Sequence, residues 1–253
     1  MKKALVVGCN YLNDPTIHLN GCIDDIVNIS ALLKEHYGYT CIVQLRDDST
    51  KPEEQPTRNN ILTELNKLIA GSSACDEIWF HYSGHGSRLH IQGSDLNFQD
   101  DVIVPVDFKT KGFIIDDEIY NIIKNTKCKT FLIMDCCHSA SVCELHWMFD
   151  CEDGEHILKS VNTQKQITCP FVYCISGCKN DQTSIDAFNT EKKEFTGAFT
   201  DALIHVLETK KYKTSLLQLY IDICVYIKSE GYLQTPILSC SSMIPSYTFT
   251  PVA

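Results

Sequence analysis

"KTFLIMDCCHSASV", residues 129–142, runs four apolar residues straight into an acid and two adjacent cysteines. A short apolar run closed by polar residues reads as a buried strand, here with reactive groups at its carboxyl end. Comparable runs recur at 4–9, 40–45, 77–83 and 170–176, and amphipathic stretches of helical spacing lie near 22–36, 58–70, 116–125, 196–209 and 214–229. Thr57 and Thr196 are placed to cap the second and fourth of these helices. Strands alternating with helices at this pitch predict an α/β fold, a parallel or mostly parallel sheet covered on both faces. Chemistry in such sheets gathers at the carboxyl ends of the strands. Two stretches, 47–57 and 145–168, read as irregular, the second as an exposed linker.

Composition bounds the function. The chain has 253 residues, 44% hydrophobic and 21% charged, enough for one domain with a sizeable core. A formal charge of -10 leaves nothing to neutralise a phosphate backbone, so nucleic acid is excluded as a partner; acidity suits cationic peptides or divalent metals. Fourteen cysteines would suggest disulfides in a secreted chain, yet "MKKALVVGCNYLND" turns polar too soon for a signal segment. A reducing, cytoplasmic compartment is therefore expected, with most cysteines acting as small buried hydrophobes. No apolar run approaches the roughly 20 residues that cross a bilayer.

"FHYSGHGSR", residues 80–88, places His85 between two glycines just after an apolar strand. A cysteine nucleophile needs a base within hydrogen-bond reach, and a His after one strand beside a Cys after its neighbour supplies one. Strand alternation sets Ser83 below His85 and Asp135 below Cys137. The same alternation turns Cys136 into the other face of the sheet, so Cys137 is the expected nucleophile and Cys136 core packing. Gly84 and Gly86 allow a tight turn and close approach of the backbone, and the backbone N–H groups of Gly86 and Cys137 are candidates for an oxyanion hole.

With "HYSGHG" and "DCCHSA" together the chain resembles a metacaspase, a caspase-fold cysteine peptidase. The likeness extends through "LNGCIDD" (19–25), "YGYT" (37–40), "PTRNNI" (56–61), "DDVIVPVDF" (100–108), "IDDEIY" (115–120), "SGCKNDQTS" (176–184), "GAFTDALIHVL" (197–207) and "QTPILSCSS" (234–242). The resemblance implies a three-layer α/β/α sandwich with a central mostly parallel sheet. It implies a large-subunit-like part over 1–144, a linker over 145–168 and a small-subunit-like part over 169–253. A compact, monomeric catalytic core without the prodomain of some members is also implied.

The resemblance further implies cleavage after Arg or Lys, with His85 as base and Cys137 as nucleophile. The positions matching the basic P1 pocket are Cys22, Asp25, Ser83 and Asp135; two carboxylates in a narrow cleft suit a cationic side chain through charge-assisted hydrogen bonds. Those matching a stimulatory calcium site are Asp100, Asp116, Asp117 and Glu144, hard oxygen donors of the kind Ca²⁺ takes. Lys159 and Lys165, in the linker, are candidates for self-cleavage. Ala140 stands where Gly is common and Cys136 where Ser is frequent. Substrates would be peptides or proteins with exposed Arg or Lys. The competing expectations are a catalytically weak or inactive caspase-fold scaffold, and a zinc knuckle built on Cys143, His146, Cys151 and His156.

Overall fold

The computed structural model describes residues 1–90, 99–136, 145–151, 157–163, 166–177, 186–189, 194–232 and 234–252. In chain order the elements are β1 (Lys2–Gly8), α1 (Cys22–Tyr37), β2 (Cys41–Arg46), α2 (Arg58–Ala70), β3 (Glu77–Ser83), β4 (Gly86–His90), β5 (Gln99–Ile103), α3 (Phe108–Lys111), β6 (Ile114–Ile115), α4 (Asp116–Ile123), β7 (Lys129–Asp135) and β8 (Trp147–Asp150). There follow β9 (Leu158–Val161), β10 (Val172–Ser176), β11 (Asp186–Asn189), β12 (Glu194–Gly197), α5 (Ala198–Thr209), β13 (Thr214–Ser215), α6 (Leu216–Ser229), β14 (Ile237–Cys240) and β15 (Thr248–Phe249).

Eight strands form one sheet in the order β2-β1-β3-β7-β10-β14-β8-β9. The five runs read from the sequence are its parallel half, from β2 to β10. The other three strands pair antiparallel. Two of those, β8 and β9, lie inside the stretch expected to be an irregular linker. Their short, mixed sequences "WMFD" and "LKSV" become strands because β14 offers a pairing edge. A connection that leaves β1 by α1 to one side and returns by α2 to the other puts a topological switch point between β1 and β3.

Each strand's alternation divides the core in two. One face gathers Val6, Trp79, Phe131, Ile133 and Tyr173 beneath α1, α5 and α6. The other gathers Val7, Phe80, Tyr82, Leu132 and Met134 with Ile61, Leu65 and Ile119 from α2 and α4. Cys136 is fully buried in this second cluster, where the alternation of β7 sends it.

Helix boundaries follow their signals. Thr57 caps α2, accepting the Asn60 N–H at 3.3 Å. The left-handed Gly38, φ 69°, closes α1. The cap expected at Thr196 is absent: Thr196 lies in β12, Gly197 precedes α5, and the N-terminal amides of that helix are met from elsewhere.

Candidate active site

The carboxyl ends of β1, β3 and β7 meet at the switch point, where Gly8 pairs with Ser83 and Ser83 with Asp135. The start of α1 rests directly on this edge, since a Cβ on Gly8 would stand 2.5 Å from the Cys22 carbonyl oxygen. Four residues expected together from the sequence, Cys22, Asp25, Ser83 and Asp135, are brought to one face here, all buried.

Asp25 is not simply an acid in a first helical turn. Its Oδ2 accepts the Ser83 hydroxyl at 2.6 Å, and its carboxylate accepts the Gly197 N–H at 3.0 and 3.2 Å. Asp135 Oδ2 accepts the Thr200 N–H at 2.9 Å and the Thr200 hydroxyl at 2.7 Å. Asp135 therefore caps α5 from another strand, in place of Thr196. Both carboxylates crowd Gly197, where a Cβ would collide with Asp135 Oδ2 and lie 3.0 Å from Asp25 Oδ2. Glycine is required there by space. Burial, then the charge of Asp25, pushes the Cys22 thiol well above its ordinary pKa, so it stays protonated.

His85 follows β3 and is held from three sides. Its N–H donates to the Tyr11 hydroxyl at 2.9 Å, and its carbonyl accepts the Val104 N–H at 3.1 Å and the Tyr82 hydroxyl at 2.9 Å. The Tyr11 hydroxyl in turn donates to the Val104 carbonyl at 2.7 Å, and its ring lies against the imidazole with centroids 4.9 Å apart. Burial raises both tyrosine pKa values far above 10, so both hydroxyls remain donors. Tyr11 itself has φ 55°, a left-handed conformation uncommon for a bulky residue. Asp47, just after β2, fixes it by accepting the N–H groups on either side, Asn10 at 2.9 Å and Leu12 at 3.0 Å. Gly84 is also required by space: a Cβ there would stand 2.7 Å from Tyr82 Oη and 3.1 Å from Tyr11 Oη.

The imidazole Nε2 lies 2.8 Å from the Ile17 carbonyl oxygen. A carbonyl only accepts, so Nε2 carries the proton and the neutral ring keeps its lone pair on Nδ1. This backbone partner for the histidine has no signature in the sequence. The Val104-to-His85 bond also sets the ladder phase between β4 and β5. Gly86–Ile103 is then a non-hydrogen-bonded pair, and the Gly86 N–H turns away from β5.

Cys137, Ala140, Glu144 and Lys165 lie outside the described residues, as do Cys143 and His156. His146 Nδ1 is 2.7 Å from the Asn162 carbonyl oxygen, and Cys151 is buried. Asp100 sits in β5 while Asp116 and Asp117 open α4; Asp116 Oδ1 accepts the Asp117 N–H at 2.9 Å. Among the described residues no cluster of three or more His, Cys, Asp or Glu converges as metal ligands. Beside Asp100, Asp101 is 2% exposed and takes the Arg88 guanidinium at 2.7 and 3.3 Å, an ion pair that the sequence did not announce. Lys159 is exposed but does not lie in an irregular stretch. It lies in β9, its ammonium over the rings of Trp147 and Phe149 and 3.1 Å from the Met243 carbonyl oxygen.

This sheet order, with helices on both faces, defines a caspase-like fold, and solved structures agree. A Geobacter sulfurreducens protein superposes with TM-score 0.68 at 20% identity over 96% of this chain and 94% of its own. Caspase-1 from Spodoptera frugiperda gives 0.55 at 13% identity over 96% and 87%. The family model "Metacaspase, peptidase C14 domain" matches residues 2–146. Metacaspase-1A of Neurospora crassa is 35% identical over 96% of this chain and 63% of its own length, and Metacaspase-1A of Aspergillus oryzae 32% over 99% and 70%. The chain belongs to the metacaspase family. It spans under two thirds of the Neurospora relative's length. Among the described residues no helix is long and apolar enough to cross a membrane.

Proposed function

We propose that this chain is a cysteine endopeptidase that cleaves peptide bonds after Arg or Lys by a His85–Cys137 dyad. The observation that carries the reading is the pair of buried carboxylates, Asp25 and Asp135, at the same strand ends as a histidine whose tautomer is fixed. The donors reaching the carboxylates from β3, β12 and α5 are neutral amides and hydroxyls. These donors carry no charge of their own, and two adjacent carboxylates attract a cationic side chain and repel an aspartate.

His85 would take the Cys137 proton on Nδ1, and the thiolate sulfur would attack the carbonyl carbon after Arg or Lys. The negative oxygen of the tetrahedral intermediate would be met by the N–H groups of Gly86 and Cys137. Collapse breaks the C–N bond, the proton on His85 passes to the leaving amine, and a water assisted by the same histidine hydrolyses the thioester. Tyr11, Tyr82 and the Ile17 carbonyl keep the imidazole fixed through both proton transfers.

Asp100, Asp116, Asp117 and Glu144 match in kind the oxygen donors that Ca²⁺ takes; the first three do not converge as a cluster, so a stimulatory Ca²⁺ would have to draw them together with Glu144. Self-cleavage after Lys159 would require β9 to leave the sheet edge first; Lys165 remains the other candidate.

The test is hydrolysis of fluorogenic peptides ending in Arg, Lys or Asp, with and without millimolar calcium, by wild type, Cys137→Ala, Asp25→Asn and Asp135→Asn. Turnover after Arg and Lys that vanishes in Cys137→Ala and weakens in the pocket variants supports the reading. Folded protein that turns over none of these peptides points to a scaffold instead.

A further inference from the structure

One buried titratable group has no part in that mechanism. His81 lies in β3 two residues before Ser83, so alternation places it on the same face, one pleat beneath the pocket. It is fully buried, and its Nε2 stands 3.4 Å from the Thr200 hydroxyl, the same hydroxyl that lies 2.7 Å from Asp135 Oδ2. The hydroxyl has one proton, and the carboxylate can only accept it. Thr200 Oγ1 must therefore accept from His81, whose Nε2 is then the protonated nitrogen. Among the described residues His81 Nδ1 has no hydrogen-bond partner. Burial holds the ring neutral, its pKa lowered to about 3.

A core position this close-packed would be filled more stably by an apolar ring, since an unpartnered buried nitrogen is a standing cost. A lysine or arginine would satisfy Asp135 but cancel the charge that attracts substrate. A neutral histidine avoids both difficulties: it orients the donor to Asp135 and leaves the net charge in place. Among the described residues, the ionisable groups placed near Asp135 include Asp25 and Cys22 from α1 and His81 from β3, with Thr200 as the intervening hydroxyl from α5.

We propose that His81 is a positioning residue for the P1 pocket, holding the Asp135 carboxylate through Thr200 in the orientation that receives Arg or Lys. This rests on the basic-pocket reading above. A hydrogen bond removed from a charged group that binds substrate costs about tenfold or somewhat more in affinity.

The experiment measures kcat, KM and thermal unfolding on Arg and Lys peptides for wild type, His81→Phe, His81→Gln, Thr200→Val, the double variant His81→Phe/Thr200→Val, and Asp135→Asn. His81→Phe is expected to raise KM about tenfold, with kcat within about twofold of wild type and a midpoint at pH 7 no lower than wild type. His81→Gln keeps a donor and stays within about twofold in KM. Thr200→Val raises KM as His81→Phe does, and the double variant is no worse than Thr200→Val alone. A packing role predicts the opposite order, with Phe tolerated and Gln impaired. Wild-type KM in His81→Phe, or equal impairment by Phe and Gln, overturns the proposal. If His81→Phe does not fold, a wild-type KM in Thr200→Val overturns it equally. Should Asp135→Asn leave KM for Arg and Lys unchanged, the pocket reading itself falls. Impairment in Asp135→Asn with normal His81→Phe removes only the role of His81.

Discussion

Acid should find His81 before it finds the rest of the core. The unfolded imidazole titrates near 6.5 and the folded one near 3, so between those values the unfolded chain binds a proton that the native chain refuses. The sign follows directly: the contribution of the neutral ring is fully present above about pH 6.5 and is lost as pH falls toward 3. At pH 5 the gap from 6.5 is about 1.5 units, worth about 2 kcal/mol at 1.36 kcal/mol per unit. Replacing the ring by phenylalanine removes that linkage while keeping the bulk. Urea unfolding followed by the fluorescence of Trp79, itself buried two residues away in β3, should show wild type losing about 2 kcal/mol more than His81→Phe between pH 7 and pH 5. Other titrating groups cancel in that difference. A wild-type-minus-variant gap that changes by less than about 0.5 kcal/mol would refute a buried neutral histidine.

Tyr11→Phe removes the hydroxyl that receives the His85 N–H and gives to the Val104 carbonyl; it should lower kcat about tenfold and stability by about 2 kcal/mol, read by peptide turnover and urea unfolding. Gly197→Ala pushes a methyl between Asp25 and Asp135, so Arg and Lys turnover should fall more than about tenfold, with about 2 kcal/mol lost in unfolding. Glu77 is buried between Lys2 (3.0 Å), the Tyr39 hydroxyl (2.9 Å) and the Tyr247 hydroxyl (2.8 Å), tying the first strand to the last segment of the chain; Glu77→Leu should cost about 3 kcal/mol in urea without changing KM. Cys136→Ala should keep peptide turnover within about twofold of wild type, since the thiol packs on the face away from the pocket; loss of turnover there would reverse the choice between the two cysteines.

What could be read in advance was whatever depends on a period or a nearest neighbour. The parallel strands announced themselves as apolar runs because both their faces are buried, and the two-residue alternation sorted Cys136 from Asp135 correctly. β8, β9 and β14 are four residues each, near a sheet edge, and take their conformation from partners far along the chain. Nothing local in "WMFD" or "ILSC" states who those partners are. The helix cap failed for a similar reason. Thr196 is the right residue type one position too early, and the group that serves α5 is a carboxylate on β7. Around His85 the gap is chemical, because the Ile17 carbonyl is backbone, and a tyrosine at φ 55° held by Asp47 is a tertiary decision.

The two carboxylates of the proposed pocket connect these observations. Each is buried where an isolated charge would be very costly, and each is made tolerable by helix amides. Asp25 accepts the N–H of Gly197, just before α5, and Asp135 the N–H of Thr200 inside its first turn. The start of α5 is thus built around two negative charges, which explains why Gly197 admits no side chain and why β12 leads straight into the helix there. Those amides alone supply only a partial positive charge, less than two carboxylates carry. A bound guanidinium or ammonium would complete what α5 begins. Ligands with a cationic end should therefore stabilise the α5 end of the molecule if they bind at the proposed pocket. Occupancy should accordingly slow amide exchange at Gly197 and Thr200, whereas a neutral peptide of the same length should leave those two amides unchanged.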